Sequence, residues 1–221
     1  MLRLAVDEEI VAVTPAGEAF RVRLSAIGPD AIEGEIVGPV PTPDVPRVWL
    51  VQGLAKGEKM DLVVRMATEL GVERIIPLST SRSVVRLDAG RAEVRVERWQ
   101  RIVAGAAKQA QLARIPVVTS LVDIGRLSAA LEGVALTLIA SEDAVGAPGI
   151  AAAVAEAAPP VDAPVAIVVG PEGGFAPEEV ELLVGQGARV ISLGDTVLRT
   201  ETAGVVAAGL TLAVRGGLGG A

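Results

Sequence analysis

The sequence predicts an α/β protein: a domain built on a parallel sheet with crossover helices, preceded by a small all-β module. Three observations carry that expectation. From Arg47 onward, short apolar runs alternate with segments of helical periodicity, the pattern of parallel strands joined by helices. Ahead of Arg47 the chain holds only short apolar pieces separated by turn residues. Between the two, Gly38 to Pro46 packs four prolines into nine residues, which excludes helix and stiffens a connection. The boundary is placed there, giving a β domain over 1–45 and an α/β domain over 46–221.

In the β domain, Ile10 to Val13, Phe20 to Leu24 and Ile32 to Val37 read as short strands of a small barrel or sandwich. They are broken by Pro15-Ala16-Gly17 and Gly28-Pro29-Asp30. In the α/β domain, strands are expected at Val48 to Val51, Arg74 to Pro77, Pro116 to Thr119, Ala135 to Ile139, Val165 to Val169 and Val190 to Leu193. Helices are expected near 57–70, 91–112, 124–131, 148–157, 177–186 and 201–215. The first places Met60, Val63, Ala67 and Leu70 on one stripe and closes on Gly71. The second sets Arg91, Arg95 and Arg98 in one row. The fifth opens with Pro177 and carries Glu178, Glu179 and Glu181 where acids favour the helix dipole. The last, Thr202 to Val214, is almost wholly apolar and rich in small residues, which predicts burial all round. Sequence physics alone points to an unknotted, doubly wound sheet of Rossmann type.

A hydrophobic share of 51% allows a substantial core. Histidine, cysteine and tyrosine are absent, which removes imidazole bases, thiol nucleophiles, phenolic acids and the usual zinc ligands; no metal is expected. Chemistry must rest on carboxylates, arginine, lysine, hydroxyls and backbone. No apolar stretch reaches the ~18 residues of a membrane span without charge or proline, and Met1-Leu2-Arg3 opens no signal peptide, so a cytoplasmic protein is expected. The net charge of -7 is unpromising for an RNA partner, but it is unevenly spread. Residues 82–114 carry Arg82, Arg86, Arg91, Arg95, Arg98, Arg101, Lys108 and Arg114 against only Asp88, Glu93 and Glu97.

Two glycine turns each follow an apolar run: Gly170-Pro171-Glu172-Gly173-Gly174-Phe175 after Val165–Val169, and Gly194-Asp195-Thr196-Val197-Leu198-Arg199-Thr200-Glu201-Thr202-Ala203 after Val190–Leu193. Such turns expose backbone N–H groups to a small ligand at the C-terminal end of a strand, and two of them imply one cleft. Neither has the G-x-G-x-x-G of a dinucleotide fold or the Lys-Ser/Thr ending of a P-loop, so phosphate cradling and a nicotinamide-dependent dehydrogenase are poor readings. Plain turn glycines between strand and helix remain the alternative.

Both strings resemble, nearly letter for letter, the cofactor loops of the SPOUT methyltransferases, and among them the 16S ribosomal RNA uridine-N3 methyltransferase family. The resemblance runs on through Glu69-Leu70-Gly71-Val72, Arg82-Ser83-Val84, Arg98-Trp99 and Gln109 to Pro116, and covers most of residues 56–214. It implies a SPOUT-type α/β domain with a C-terminal deep trefoil knot behind a PUA-like β-barrel. It also implies S-adenosyl-L-methionine as cofactor, held by Gly170, Pro171, Glu172, Gly173, Ser192, Leu193, Gly194, Leu198, Thr202 and Ala203, with Ala140-Ser141-Glu142 as a third wall. The activity implied is methylation of uridine N3 in 16S rRNA near the decoding site of the small ribosomal subunit, by a homodimer. The N3 proton must leave, so Arg199 is the expected stabiliser of the charge left on the uracil oxygens, with Glu201 or Glu172 as candidate base. The plain reading of Arg199 and Glu201, which flank Thr200, is a surface ion pair with a threonine cap. Arg82, Ser83, Arg91, Arg95, Arg98 and Arg114 are the expected RNA contacts, against a solvated helix face; Trp99 reads as a core anchor.

The chain departs from the resemblance in two places. It opens inside what would be the second strand of the barrel, so the small domain reads as truncated, and Leu112 stands where relatives often have arginine. A SPOUT enzyme acting on another RNA such as tRNA, or a cofactor-binding but inactive ribosome-assembly protein, remains open at this point.

Overall fold

In the computed structural model, residues 4–14, 18–40, 45–141, 144 and 146–219 are described. The N-terminal module consists of β1 (Glu9–Val13), β2 (Ala19–Ile27) and β3 (Ile32–Pro39), an antiparallel meander in the order β1-β2-β3. Val11 faces Arg21 and Val22 faces Ile36 across the ladders, with register irregularities at Arg21/Val22 and Leu24/Ala26. The expected barrel or sandwich is an open three-stranded sheet among the described residues. Three strands are too few to close on themselves, and of their side chains only Ala19 and Leu24 are buried.

The α/β domain follows the predicted alternation closely. Its elements are β4 (Val48–Gly53), α1 (Lys59–Glu69), β5 (Arg74–Ser79), α2 (Ala89–Gln109), β6 (Val117–Val118), β7 (Val122–Asp123), α3 (Leu127–Ala130), β8 (Leu136–Ala140), α4 (Ile150–Ala157), β9 (Val165–Val169), α5 (Pro177–Gly185), β10 (Arg189–Ile191) and α6 (Thr200–Val214). All described pairings of the large sheet are parallel, in the order β10-β8-β9-β4-β5-β6, with β7 beside β5. The two-residue β7 escaped prediction because it is too short to show a period.

Strands β4 and β9 are buried along their whole length, as expected of central parallel strands covered on both faces. Alternate side chains divide between two cores. Val48, Leu50, Val165 and Ile167 meet Met60, Val63 and Ala67 of α1, Trp99 and Val103 of α2, Ala153 of α4 and Ala207 of α6. Trp49, Val51, Ala166 and Val168 meet Leu127 of α3, Leu183 of α5 and Phe175. The result is three layers. Trp99, 1% exposed, is a core anchor, as expected.

Helix α6 lies across β4 and β9 and beside α1 and α4. Within the single chain it is not buried all round: Val206, Leu210 and Val214 are 36%, 45% and 42% exposed. Spaced four residues apart, they form one stripe on the side turned away from the sheet. The end of α6 is clamped by Arg215, whose guanidinium donates to the carbonyls of Arg47, Pro160, Val161 and Ala163 at 2.6–3.1 Å. Its burial lowers the guanidinium pKa, opposed only by Asp162. One side chain thus joins the start of β4, the connection before β9 and the last turn of α6. Replacing Arg215 with Met should remove these bonds and lower unfolding stability by about 2 kcal/mol, read from urea denaturation.

Candidate functional site

Because the large sheet is parallel, the loops after β4, β5, β8, β9 and β10 emerge on one edge, where α/β proteins place their ligands. Glycine shapes this edge in two places. A Cβ on Gly53, at the end of β4, would stand 2.3 Å from the nitrogen of Pro171, so strand and turn touch backbone to backbone. Gly194, at φ +111°, turns the chain after β10 in a conformation that side chains rarely adopt.

A cleft of about 730 Å³ opens between the two glycine turns. Of the residues singled out from the sequence, Ala140, Ser141, Gly170, Pro171, Glu172, Ser192, Leu193, Gly194, Leu198, Arg199 and Ala203 line it. Gly173 and Thr202 are not part of its wall, which corrects the expectation for both. Gly173 is turned toward the neighbouring loop, its carbonyl accepting a bond from Arg82 Nη1 at 3.1 Å, and Thr202 is exposed. Glu142 lies outside the described residues. Glu201 stands behind the wall rather than in it.

A buried relay fixes the spacing of the turns. Gln52, fully buried on β4, donates from Nε2 to Thr200 Oγ1 at 2.8 Å, and the Thr200 hydroxyl donates to the carbonyl of Gly170 at 2.6 Å. The first turn of α6 is thereby bolted to the end of β9 through the central strand. Gln52 Oε1 accepts no hydrogen bond and lies against Gly204, where a Cβ would come within 2.4 Å of it.

Lys59 was not singled out from the sequence. It opens α1, lines the cleft, and places Nζ 3.1 Å from Glu172 Oε1 and 3.3 Å from Glu201 Oε2. For Glu172, partial burial favours the neutral acid, but bonds from the N–H groups of Lys56 and of Glu172 itself, and from Lys59, outweigh it and hold the carboxyl below its ordinary range. The hydrogen bond to Glu172 likewise raises the Lys59 ammonium, desolvation opposing. Arg199, by contrast, is exposed at the cleft with no ion pair or side-chain hydrogen bond among the described residues. No group of acidic side chains among the described residues is arranged to hold a metal ion.

The expected RNA contacts do not form one strip. Arg114 lies outside helix α2, in the segment that folds back along it, where the Gln100 side chain bonds the Pro116 carbonyl and the Val118 N–H at 3.0 and 2.8 Å, so it does not continue the row of Arg91, Arg95 and Arg98. Ser83 is buried, bonded to Thr80, and unavailable to a ligand, which corrects its assignment. Arg91 pairs with Asp88 at 3.3 Å, and Arg98 pairs with Asp61, which also accepts from Trp99 Nε1 at 3.0 Å. Arg95, Arg98 and Arg101 border a groove shared with Glu58 and Asp61 at the start of α1.

Gly204→Ala should push Gln52 off Thr200 and destabilise the fold by about 1–3 kcal/mol, seen as a lower melting midpoint. Gly209→Ala serves as the control. Its Cβ would meet Leu70 at an ordinary 3.7 Å in the same helix, so gained helix propensity should leave stability unchanged or higher.

Comparison with known proteins agrees with this geometry. Residues 42–212 match the sequence profile of the RNA methyltransferase domain. The chain is 33% identical over 213 residues to ribosomal RNA small subunit methyltransferase E of Mycobacterium bovis, covering 94% of this chain and 79% of that one. It is 30% identical to the protein of the same name from Bacillus subtilis, covering 92% and 80%. The crystal structure of a ribosomal RNA small subunit methyltransferase E from Neisseria gonorrhoeae bound to S-adenosyl methionine superposes with a TM-score of 0.76 at 29% identity, covering 94% of this chain and 84% of that one. With a parallel sheet, a cleft at its C-terminal edge and these relatives along nearly its whole length, the chain belongs to the ribosomal RNA small subunit methyltransferase E family of SPOUT RNA methyltransferases.

Proposed function

We propose that the protein transfers a methyl group from S-adenosyl-L-methionine to N3 of a uridine in 16S rRNA, near the decoding site of the small ribosomal subunit. The single observation that carries this reading is the cleft between the glycine turns with an uncommitted guanidinium, Arg199, in its wall. Its volume falls in the ~300–1,000 Å³ range of small-ligand sites, and its lining of Val169, Leu193, Leu198 and Ala203 beside exposed turn backbone suits an adenosine with a short polar tail. The gonococcal relative's bound S-adenosyl methionine supports the same assignment.

When bound, the cofactor supplies an electrophilic methyl on sulfur; the protein's part is alignment and charge. Gly170, Leu193, Gly194 and Leu198 would hold the donor, while Ala140 and Ser141 close the third side. Arg199 stabilises the negative charge that deprotonation leaves on the uracil carbonyl oxygens. Glu172 faces the cleft and is the carboxylate in reach of an N3 proton. Its depressed pKa suits receiving a hydrogen bond better than keeping a proton, so the proton passes on to water. Glu201, behind the wall, braces Lys59.

In this reading, the chain after β10 threads through a loop to form the trefoil knot, in keeping with β10 lying beyond β8 while α6 returns across β4 and β9. The β1–β3 sheet is a PUA-like docking module, and Arg82, Arg91, Arg95 and Arg98 contribute phosphate contacts. An acidic chain gains little from free RNA, so the assembled subunit in the cytoplasm is the substrate. No described helix is long and apolar enough to cross a membrane. The exposed stripe of Val206, Leu210 and Val214 is the homodimer face.

Incubation with labelled cofactor and small subunits lacking the modification, followed by mass spectrometry, should place one methyl on uridine N3. Label on another base, or none, overturns the reading. Arg199→Ala should lower kcat by about 10²-fold with cofactor affinity retained. Sedimentation should show twice the 22.5 kDa of one chain, and Leu210→Glu should halve it.

A further inference from the structure

One cation at the cleft is fully engaged before any ligand arrives. Lys59 begins α1, Glu172 lies in the turn after β9, and Glu201 lies in the first turn of α6. The Lys59 ammonium reaches both carboxylates, and Glu172 Oε1 also takes the backbone N–H of Lys56 at 3.0 Å. The Glu201 side chain is 14% exposed, and its Oε2 is buried without a hydrogen bond. Lys59 is therefore its only ion-pair partner among the described residues. A carboxylate so placed is costly unless a cation stands beside it. Arg199, two residues away, is not so placed.

We propose that Lys59 is a positioning residue: one ammonium latches the Glu172 turn and the first turn of α6 to the start of α1, and so sets the width of the donor cleft. This rests on the reading of the cleft as a methyl-donor site. The two glycine turns come from different strands, and each bears one of the two carboxylates. Without the cation, the Glu172 carboxylate in the wall and the Glu201 carboxylate behind it, both now within ion-pair distance of one ammonium, repel each other unscreened and push the two segments apart. With it, the repulsion becomes two attractions, and the turns approach the donor from fixed positions. The neutral Gln52 relay holds the same turns from beneath, so Lys59 acts on the geometry of the opening.

The test is a calorimetric titration of S-adenosylmethionine and S-adenosylhomocysteine into wild type, Lys59→Met, Lys59→Arg, Glu201→Gln and the Lys59→Met/Glu201→Gln double variant, with melting midpoints measured alongside. Lys59→Met should weaken binding about tenfold. Lys59→Arg, whose fork can span two carboxylates, should recover most of that loss. In the Glu201→Gln background, removing Lys59 should cost threefold or less, because only one carboxylate is left. Equal losses in the two backgrounds, wild-type affinity in Lys59→Met, or a loss that tracks the melting midpoint and is not restored by arginine would each overturn the proposal. The binding comparisons need no RNA, so a wild-type protein that binds the donor yet methylates nothing refutes the proposed reaction while leaving the Lys59 comparison decisive. A wild type that binds neither ligand overturns both.

Discussion

The site depends on one buried amide. Gln52 sits on β4, one of the two strands buried along their whole length, where an apolar side chain would cost nothing, and one of its two polar ends goes unsatisfied. An orphaned buried acceptor costs about 1–3 kcal/mol. Apolar packing would let α6 slide or rotate over β4 with little change in energy, whereas a bond from Gln52 through Thr200 to the Gly170 carbonyl exists at one register only. The amide therefore trades stability for the fixed relation of two turns that lie far apart in sequence.

The small residues around it follow from that choice. Helix α6 must approach β4 closely enough for Thr200 to meet Gln52, so its inner face is Ala203, Gly204, Ala207 and Ala208. Strand β4 ends in Gly53 because Pro171 already occupies the space of a side chain. What reads in the sequence as a weakly patterned apolar helix is a helix selected for closeness on one face, while its outer face keeps larger apolar residues that the sheet never touches.

How much of this was legible follows from the range of each signal. The apolar runs of β4, β5, β8 and β9 and the Pro177 start of α5 are local, and their boundaries were readable to within a few residues. The paired glycine turns were legible too, because each announces itself after its own strand. Lys59 was not: at the head of a helix it is one lysine among exposed residues, and only the fold brings it to Glu172 and Glu201. Ser83 failed for the converse reason. Nearness in sequence to Arg82 suggested a common surface, but Ser83 turns inward to Thr80. The closure of the N-terminal module was likewise beyond reach, since alternation marks strands without counting how many are needed to close a barrel.

The two cations of the cleft show how an acidic chain can handle charge locally. Lys59 stands between two carboxylates and has little attraction left for an incoming anion; Arg199 has no ion-pair partner among the described residues and keeps its own. The division suits the chemistry of each group. A flexible, compact ammonium can settle between two carboxylates from different elements, and its strong hydration is replaced by them; a planar guanidinium at the rim can meet two oxygens side by side. At the mouth, a strongly hydrated point charge in place of the guanidinium would lose that two-point contact and weaken the electrostatic pull. The net charge of the protein is thus a poor guide to its partner. At the mouth of the cleft Arg199 carries a positive charge with no ion pair among the described residues, while the neutral Gln52 relay and the Lys59 cation shared by two carboxylates fix the segments on either side.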